Sequence, residues 1–566
     1  MPLRLRPDDI LEDLHPGGVR PLLVRRHQDR VADDIGERDR REPAPAAGRL
    51  AGACAGGHHA RLCRRWRERV MAQRYSIVLL PAVTFWRPDA ASAGIFGATW
   101  GAGSVVITHV IRQIIVLTAS PDLLAAYQDP GRVREYLQPA FDAFNRKHGE
   151  SIALTDIAAL PSDWEFSAAD GPYEQVAVDK LVVSVLLGIG LDRAFSKDLM
   201  ISLAGFLTEQ LSGFVGMGVD IPFALAEHWC PGQPMPALFS NRRAAGELIG
   251  KGALARHGFT GHGVNVVVVD QGVDASVIAN FAGGWRTRTT GSPAPGQGRQ
   301  PHAAMMVRNI LDIAPKARIF DCPLIPPSVP GLPPSIPDIE VFLGDALAVW
   351  LKMLRDIAHF RAHGRFPGPW VFVNAWAIYD RRTEIPPESY SDNPAHPFNL
   401  AVGDAAGAGI DVVFCAGNCG PFCPDLRCGI NDRGPGRSIL GANSHPRVLT
   451  VGAVRCDTTW LGYSSQGPGQ PNLDVDKPDL CAPSEFREDH DAHTGNSGTS
   501  AASGLAAGVV AALRSRVDPV TWPPVHLKQL LLDTARKTET SGRDDRVGYG
   551  IIDAAAAVRA LALPPP

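Results

Sequence analysis

Val264-Asn265-Val266-Val267-Val268-Val269-Asp270-Gln271-Gly272-Val273-Asp274 sets five valines in six positions and then turns on an acid and a glycine. With no polar face, the stretch predicts a strand buried on both sides, the kind found inside parallel sheets. Sites in open α/β sheets assemble beyond the carboxyl ends of strands, and Asp270 stands at such an end. Further buried strands are predicted over 318–324 (RIFDCPL), 370–376 (WVFVNAW), 409–415 (GIDVVFC) and 449–454. Helices are predicted between and around them, over 246–257, 301–311, about 338–363 and 398–408. Strands that alternate with helices imply an α/β fold, a mostly parallel β-sheet with helices on both faces.

A second stretch, Asn496-Ser497-Gly498-Thr499-Ser500-Ala501-Ala502-Ser503-Gly504, packs small residues ahead of a run that carries no charge until Arg514. It predicts a tight loop entering a helix that is apolar all round, hence buried. Ser500 would lie in its first turn, among unpaired backbone N–H groups at the positive end of the helix dipole, where negative charge developing on an oxygen is stabilised. Taken alone, Ser500 could equally cap a core helix. The same holds of Asp270 as the cap of a turn and of His302, which opens the helix predicted after Pro301.

As a set these residues point to chemistry. A serine hydroxyl needs a base within hydrogen-bond reach, and imidazole serves because its pKa lies near the working pH. A buried carboxylate holds the ring in one tautomer and stabilises the imidazolium as it forms. Asp270, His302 and Ser500 each follow a strand end or open a helix of one parallel framework.

Composition bounds the rest. The 566 residues, 45% hydrophobic and 20% charged with a net charge of −3, describe a globular protein with room for two or more domains. No nucleic-acid partner is suggested by that balance, and the apolar windows near 181–191 and 199–219 are broken by charges, so no membrane span is expected. Residues 1–70 hold 15 arginines, no lysine and 11 acids, and are expected to be a disordered extension, with translation starting at Met71. Residues 71–235 are expected to be an N-terminal region of unknown fold and function, α/β or mainly helical. Within it, a strand is expected at 74–82, β structure at 104–118, helix at 121–148 interrupted near Asp129-Pro130-Gly131, and one or two helices at 176–216. A Pro/Gly-rich stretch at 230–236 sets the boundary, and 236–566 form the last domain. Of ten cysteines, four crowd together at Cys415, Cys419, Cys423 and Cys428. Their spacing is not that of a zinc site; a local pair such as Cys423 with Cys428, or free buried thiols, fits it.

Residues 266–272 (VVVVDQG) and Gly498-Thr499-Ser500 resemble the aspartate and serine motifs of the subtilisin-like serine proteases, the subtilases. The order Asp, His, Ser is theirs. Cys415-Ala416-Gly417-Asn418 is similar to the family's Ala-Ala-Gly-Asn, whose asparagine donates to the oxyanion. Supporting segments follow in family order at 463–468, 477–483 and 548–555, so the resemblance spans about 244–563. The histidine segment departs from the family's His-Gly-Thr-His-Val-Ala-Gly, reading His302-Ala303-Ala304-Met305-Met306-Val307-Arg308. The distance from His302 to the Ala314-Pro315 that closes its helix places His302 in the first-histidine register; the other register would put Arg299 there.

The resemblance implies a serine endopeptidase acting on polypeptide substrates, with Asp270, His302 and Ser500 as triad and Asn418 beside the Ser500 N–H as oxyanion hole. The family's substrate-binding strand appears as Asn374-Ala375-Trp376-Ala377, so Ala375, Trp376 and Gly417 are expected to bind substrate, with a core role as the alternative for Trp376. Calcium often stabilises the family, but no acidic loop here is spaced as a site, and no cofactor is implied. The family is commonly secreted, whereas no signal peptide is visible, so the chain reads as cytoplasmic as written. One reading of 71–235 is a pro-domain that fills the cleft. The alternative function is a catalytically silent fold that binds peptides or serves as a scaffold.

Overall fold

The computed structural model describes residues 107–561 apart from 162, 191–193, 227–239, 287–291, 327–340, 492–493 and 539–541. The extension expected over 1–70, the strand at 74–82 and the boundary stretch at 230–236 lie outside the described residues.

Residues 107–219 run through β1 (Ile107–Thr118), α1 (Pro121–Ala126), α2 (Pro130–His148), β2 (Ala153–Ala159), β3 (Glu165–Ala168), β4 (Lys180–Gly190), α3 (Lys197–Gln210) and β5 (Phe214–Val219). Four of the strands make an antiparallel sheet in the order β2-β4-β1-β5. The break between α1 and α2 falls at Asp129, whose carboxylate caps α2 by accepting from Gly131 N, with Pro130 in the first turn. The helix expected over the first part of 176–216 is a correction: β4 occupies it, and only α3 is helical. The cause is burial. β4 lies between β1 and β2 with almost every residue buried, and such a strand shows no period that separates it from a buried helix.

Alternation along these strands sorts the two faces. Ile115, Leu117, Val183 and Val185 pack with Phe141, Phe144, Leu203 and Leu207 of α2 and α3. Ile114, Val116 and Val182 join a different cluster, under the larger sheet.

That sheet is built from the rest of the chain. β6 (Pro222–Leu225), α4 (Arg242–Ile249) and α5 (Lys251–Arg256) lead to β7 (Asn265–Asp270), β8 (Phe281–Arg286), α6 (Pro301–Ile313) and β9 (Arg318–Pro323). Then come β10 (Val341–Phe342), α7 (Leu343–Ala362), β11 (Trp370–Asn374), β12 (Trp376–Ala377), α8 (Pro397–Gly407), β13 (Ile410–Cys415) and β14 (Leu449–Val454). β15 (Leu480–Pro483), β16 (Phe486–Arg487), β17 (Gly495–Asn496), α9 (Gly498–Arg514), α10 (Pro524–Thr534) and α11 (Ala554–Leu561) complete it. The sheet order is β15-β14-β13-β11-β7-β9-β8-β3, parallel throughout except for β3, which pairs antiparallel with β8 at the edge. β3 thus ties the first 120 or so described residues into the larger sheet.

Every residue of β7 is buried, as its valines require. Val266 and Val268 face α6 and α9, while Val267 and Val269 face α7 and α8. α9 is buried at all its positions, including Arg514, whose guanidinium is satisfied by the Asp411 carboxylate at 2.6 and 2.8 Å. α6 and α9 cross closely because Gly508 has no Cβ: one placed there would lie 2.8 Å from Ile313 Cβ. The two helices that open on His302 and Ser500 are thereby packed against each other.

Candidate active site

Asp270 ends β7 fully buried, and His302 is the second residue of α6, 2% exposed. His302 Nδ1 lies 2.7 Å from Asp270 Oδ2, while Asp270 Oδ1 accepts from Gln271 N at 2.7 Å. A carboxylate held this way by a backbone N–H presents its second oxygen to the ring and keeps Nδ1 protonated. Arg299 lies elsewhere, with its side chain 82% exposed beside Asp274 at 3.3 Å.

Ser500 stands in the first turn of α9, buried, one residue beyond Thr499. Its hydroxyl donates to Ala375 O at 3.3 Å, on the link between β11 and β12. Asn418 follows the end of β13. Its Oδ1 accepts from both Thr499 N (3.0 Å) and Thr499 Oγ1 (2.9 Å). Thr499 Oγ1 in turn accepts from Gly417 N at 3.1 Å. With its oxygen doubly held, Asn418 must aim Nδ2 the other way; that group is buried and makes no hydrogen bond of ordinary geometry among the described residues, although the amide adds to the polar company of the Tyr379 hydroxyl.

Gly417 has φ of 97°, a left-handed value that favours glycine, and a Cβ there would sit 3.1 Å from Ser465 Oγ and 3.5 Å from Ala377 Cβ. Trp376 is wholly buried in the core cluster that also holds Phe398 and Phe414, with one face 4.2 Å from the Phe223 ring.

Phe223 belongs to a feature that no motif announced. β6 pairs antiparallel with β12, Leu225 opposite Trp376 and Ala224 opposite Ala377. The pairing continues one residue further, where Ala226 N donates to Ala375 O at 2.9 Å. Ser500 N then approaches Ala226 O at 3.4 Å. A segment from the N-terminal side of the chain thus lies along the strand expected to bind substrate and delivers a carbonyl to the backbone N–H of Ser500. The Leu225 carbonyl is gripped by Tyr379 Oη at 2.7 Å and Arg427 Nη2 at 2.8 Å. Burial pushes the Tyr379 phenol well above its ordinary pKa, against the pull of Arg427, so it stays protonated as a donor.

Sequence reading missed Thr499, Tyr379 and Arg427. Thr499 was within reach as the neighbour of Ser500; the other two carry no local signal. The disulfide is a correction: Cys428 pairs with Cys419, not with Cys423. Cys419 sits directly after Asn418, whose carbonyl accepts from Asp425 N at 2.9 Å, so the loop folds back on its own start and brings Cys428 there. Among the described residues no group of His, Cys, Asp and Glu is arranged to hold a metal, and no helix is long and apolar enough to cross a membrane.

Residues 367–550 match the model of the subtilase family. The match begins after Asp270 and His302 and takes in Ala375, Trp376, Gly417, Asn418 and Ser500. Among solved structures the chain is similar to fervidolysin from Fervidobacterium pennivorans, a keratinolytic enzyme related to subtilisin, with 17% identity over 83% of this chain and a TM-score of 0.44. It spans 63% of the length of fervidolysin. It is also similar to MycP1 from the ESX-1 type VII secretion system (19% identity, 61% of this chain and 92% of that one, TM-score 0.40) and to MycP1 from Mycobacterium smegmatis (19% identity, 61% and 91%, TM-score 0.38). The comparison with curated proteins found no match.

Proposed function

We propose that the chain is a serine endopeptidase that cleaves extended polypeptides by acyl transfer. The observation that carries this reading is the run of β6 along β12, which brings the Ala226 carbonyl to Ser500 N while Ala226 N is held by Ala375 O. That is the pose a substrate chain would need: an extended backbone paired on one side, with one carbonyl carbon set before the nucleophile. Ser500 Oγ would attack that carbon as His302 takes its proton through Nε2. Asp270 would keep the ring oriented and stabilise the imidazolium. The oxyanion would accept from Ser500 N–H and Asn418 Nδ2, which Thr499 aims by occupying the other end of the amide. Protonated His302 would then return the proton to the leaving amine, and water would release the acyl group by the same steps.

In this reading residues 107–226 act as a pro-domain, with 222–226 in the cleft as a built-in substrate and the Ala226 carbonyl as the one presented to the nucleophile. The test is labelling of the full chain with a fluorophosphonate probe, together with intact-mass analysis. Label is expected on Ser500, with Ser500→Ala losing it and losing turnover by ~10⁶. A parent protein that folds but takes no label and cuts no polypeptide would leave the silent, peptide-binding fold as the better description.

A further inference from the structure

We infer that Arg427 and Tyr379 form a clamp for the backbone carbonyl one residue ahead of the scissile one, so that the enzyme requires an acylated amino acid, not a bare acyl group, on the acyl side of the bond. This rests on the endopeptidase reading above and takes Leu225 as the stand-in for that substrate residue.

The need for a clamp follows from strand geometry. In an antiparallel pair, alternate residues point their N–H and C=O away from the partner strand. Ala226 N is bonded to β12, and Leu225 opposes Trp376, so the Leu225 carbonyl faces away from β12. Leu225 is 3% exposed, so water does not serve that oxygen. Tyr379 Oη and Arg427 Nη2 serve it instead, one neutral donor and one charged. The two donors also hold each other: Arg427 Nη2 reaches Tyr379 Oη at 3.1 Å, and the guanidinium lies 4.0 Å from the ring centroid. Arg427 is fixed from behind by Asp425, through Nε at 2.9 Å and Nη2 at 2.8 Å.

The clamp is tied to the oxyanion site by the chain itself. Asp425 N donates to Asn418 O, and Cys428, next to Arg427, is bonded to Cys419, next to Asn418. One short loop therefore spaces the donor expected at the scissile oxygen and the donor at the carbonyl before it. Because the target is backbone, the clamp discriminates by the presence of an amide carbonyl and not by side chain.

Two measurements on the full chain test it, with Arg427→Met and with Tyr379→Phe, which removes a hydroxyl only. The first is hydrolysis of acetyl-alanine p-nitrophenyl ester, which has that carbonyl, against p-nitrophenyl butyrate, which lacks it. Occupancy of the cleft by 222–226 divides both rates equally, so the ratio of their kcat/KM values is read. It is expected to fall about 10- to 100-fold in Arg427→Met and less in Tyr379→Phe. A merely structural role would lower both rates and leave the ratio alone, and an unchanged ratio overturns the clamp. The second is hydrogen exchange at the Ala226 amide, expected to quicken about 10-fold or more in both variants while β13 stays protected. Exchange equal to the parent's overturns the clamp as well. A parent that hydrolyses neither ester and takes no fluorophosphonate label refutes the hydrolase reading, and the exchange result then decides alone whether these residues hold the carbonyl.

Discussion

The parallel sheet of residues 265–483 and the antiparallel layer of residues 107–219 both contain strands buried on two faces, yet they are anchored very differently. In the parallel sheet β7, β11 and β13 are each flanked by strands on both sides and covered by helices above and below. Asp270 and Asn418 lie at or just past the ends of such strands, so they cannot shift without moving the core. The antiparallel layer keeps its own helices on one face only and rests its other face on the larger domain. Its polar attachments there include the β3–β8 pairing and the bond from Gln113 Nε2 to Ile385 O at 2.8 Å. Asp220 accepts from Arg112 (2.7 Å), Ser184 and, at the start of α7, Gly344 N (2.8 Å). His396, at the start of α8, meets Val219 O through Nε2 at 2.9 Å. The difference separates a part locked into the core on both faces from a part that rests on it by one face.

Breaking the locked part should have the larger effect. Asn418→Ala is expected to lower turnover by ~10²–10³ while KM and melting temperature stay close to the parent's, because the lost donor acts on the developing oxyanion. Kinetics and thermal melting check it, and equal turnover in mutant and parent would mean that this amide stabilises no oxyanion.

Loosening the layer should act in the opposite direction. A Cβ on Gly218 would stand 2.5 Å from the His396 ring and 2.8 Å from Pro397 Cδ, neither of which can swing aside. Gly218→Val is expected to cost about 1–3 kcal/mol at this seat and to raise the rate of fluorophosphonate labelling of Ser500 by ~10-fold or more as 222–226 leaves the cleft. A labelling rate at or below the parent's would show that the layer does not guard the site.

Acid should probe the same seat without a substitution. Burial pushes the His396 pKa down to about 4, and its Nδ1 already accepts from Phe398 N as the cap of α8. A group whose folded pKa lies below its unfolded value of 6.5 stabilises the fold above that value and loses the contribution as pH falls through the folded pKa. Stability is therefore expected to fall by roughly 3 kcal/mol between pH 6.5 and 4 on this account. His445 is likewise pushed down to about 4 by burial, so the pertinent quantity is the difference between parent and His396→Gln in melting against pH. Parallel profiles would remove His396 from the explanation.

How much of this was legible beforehand depended on whether the signal was local. The valines of β7, the small residues before α9 and the acid and asparagine at strand ends each state their own burial and place, so the α/β sheet, the Asp270–His302 contact and the position of Asn418 could be read from the chain. β4 was misread because a strand buried on both faces has no alternation to show. The pairing of β6 with β12 could not be read at all: four residues of ordinary composition acquire meaning only when the layer sets them beside Ala375. Likewise, nothing near Arg427 or Tyr379 in the chain points to the Leu225 carbonyl, some 150 to 200 positions away. Cys428 met Cys419 because the loop turned back on Asn418 through the bond from Asp425 N, a closure that the spacing of the four cysteines does not show. Residue chemistry and periodicity determined which groups this protein has for the acyl transfer proposed above. What lies in its cleft, and what grips it there, was decided by contacts between segments far apart in sequence, since backbone carbonyls and N–H groups are the same at every position and only the fold chooses which of them meet.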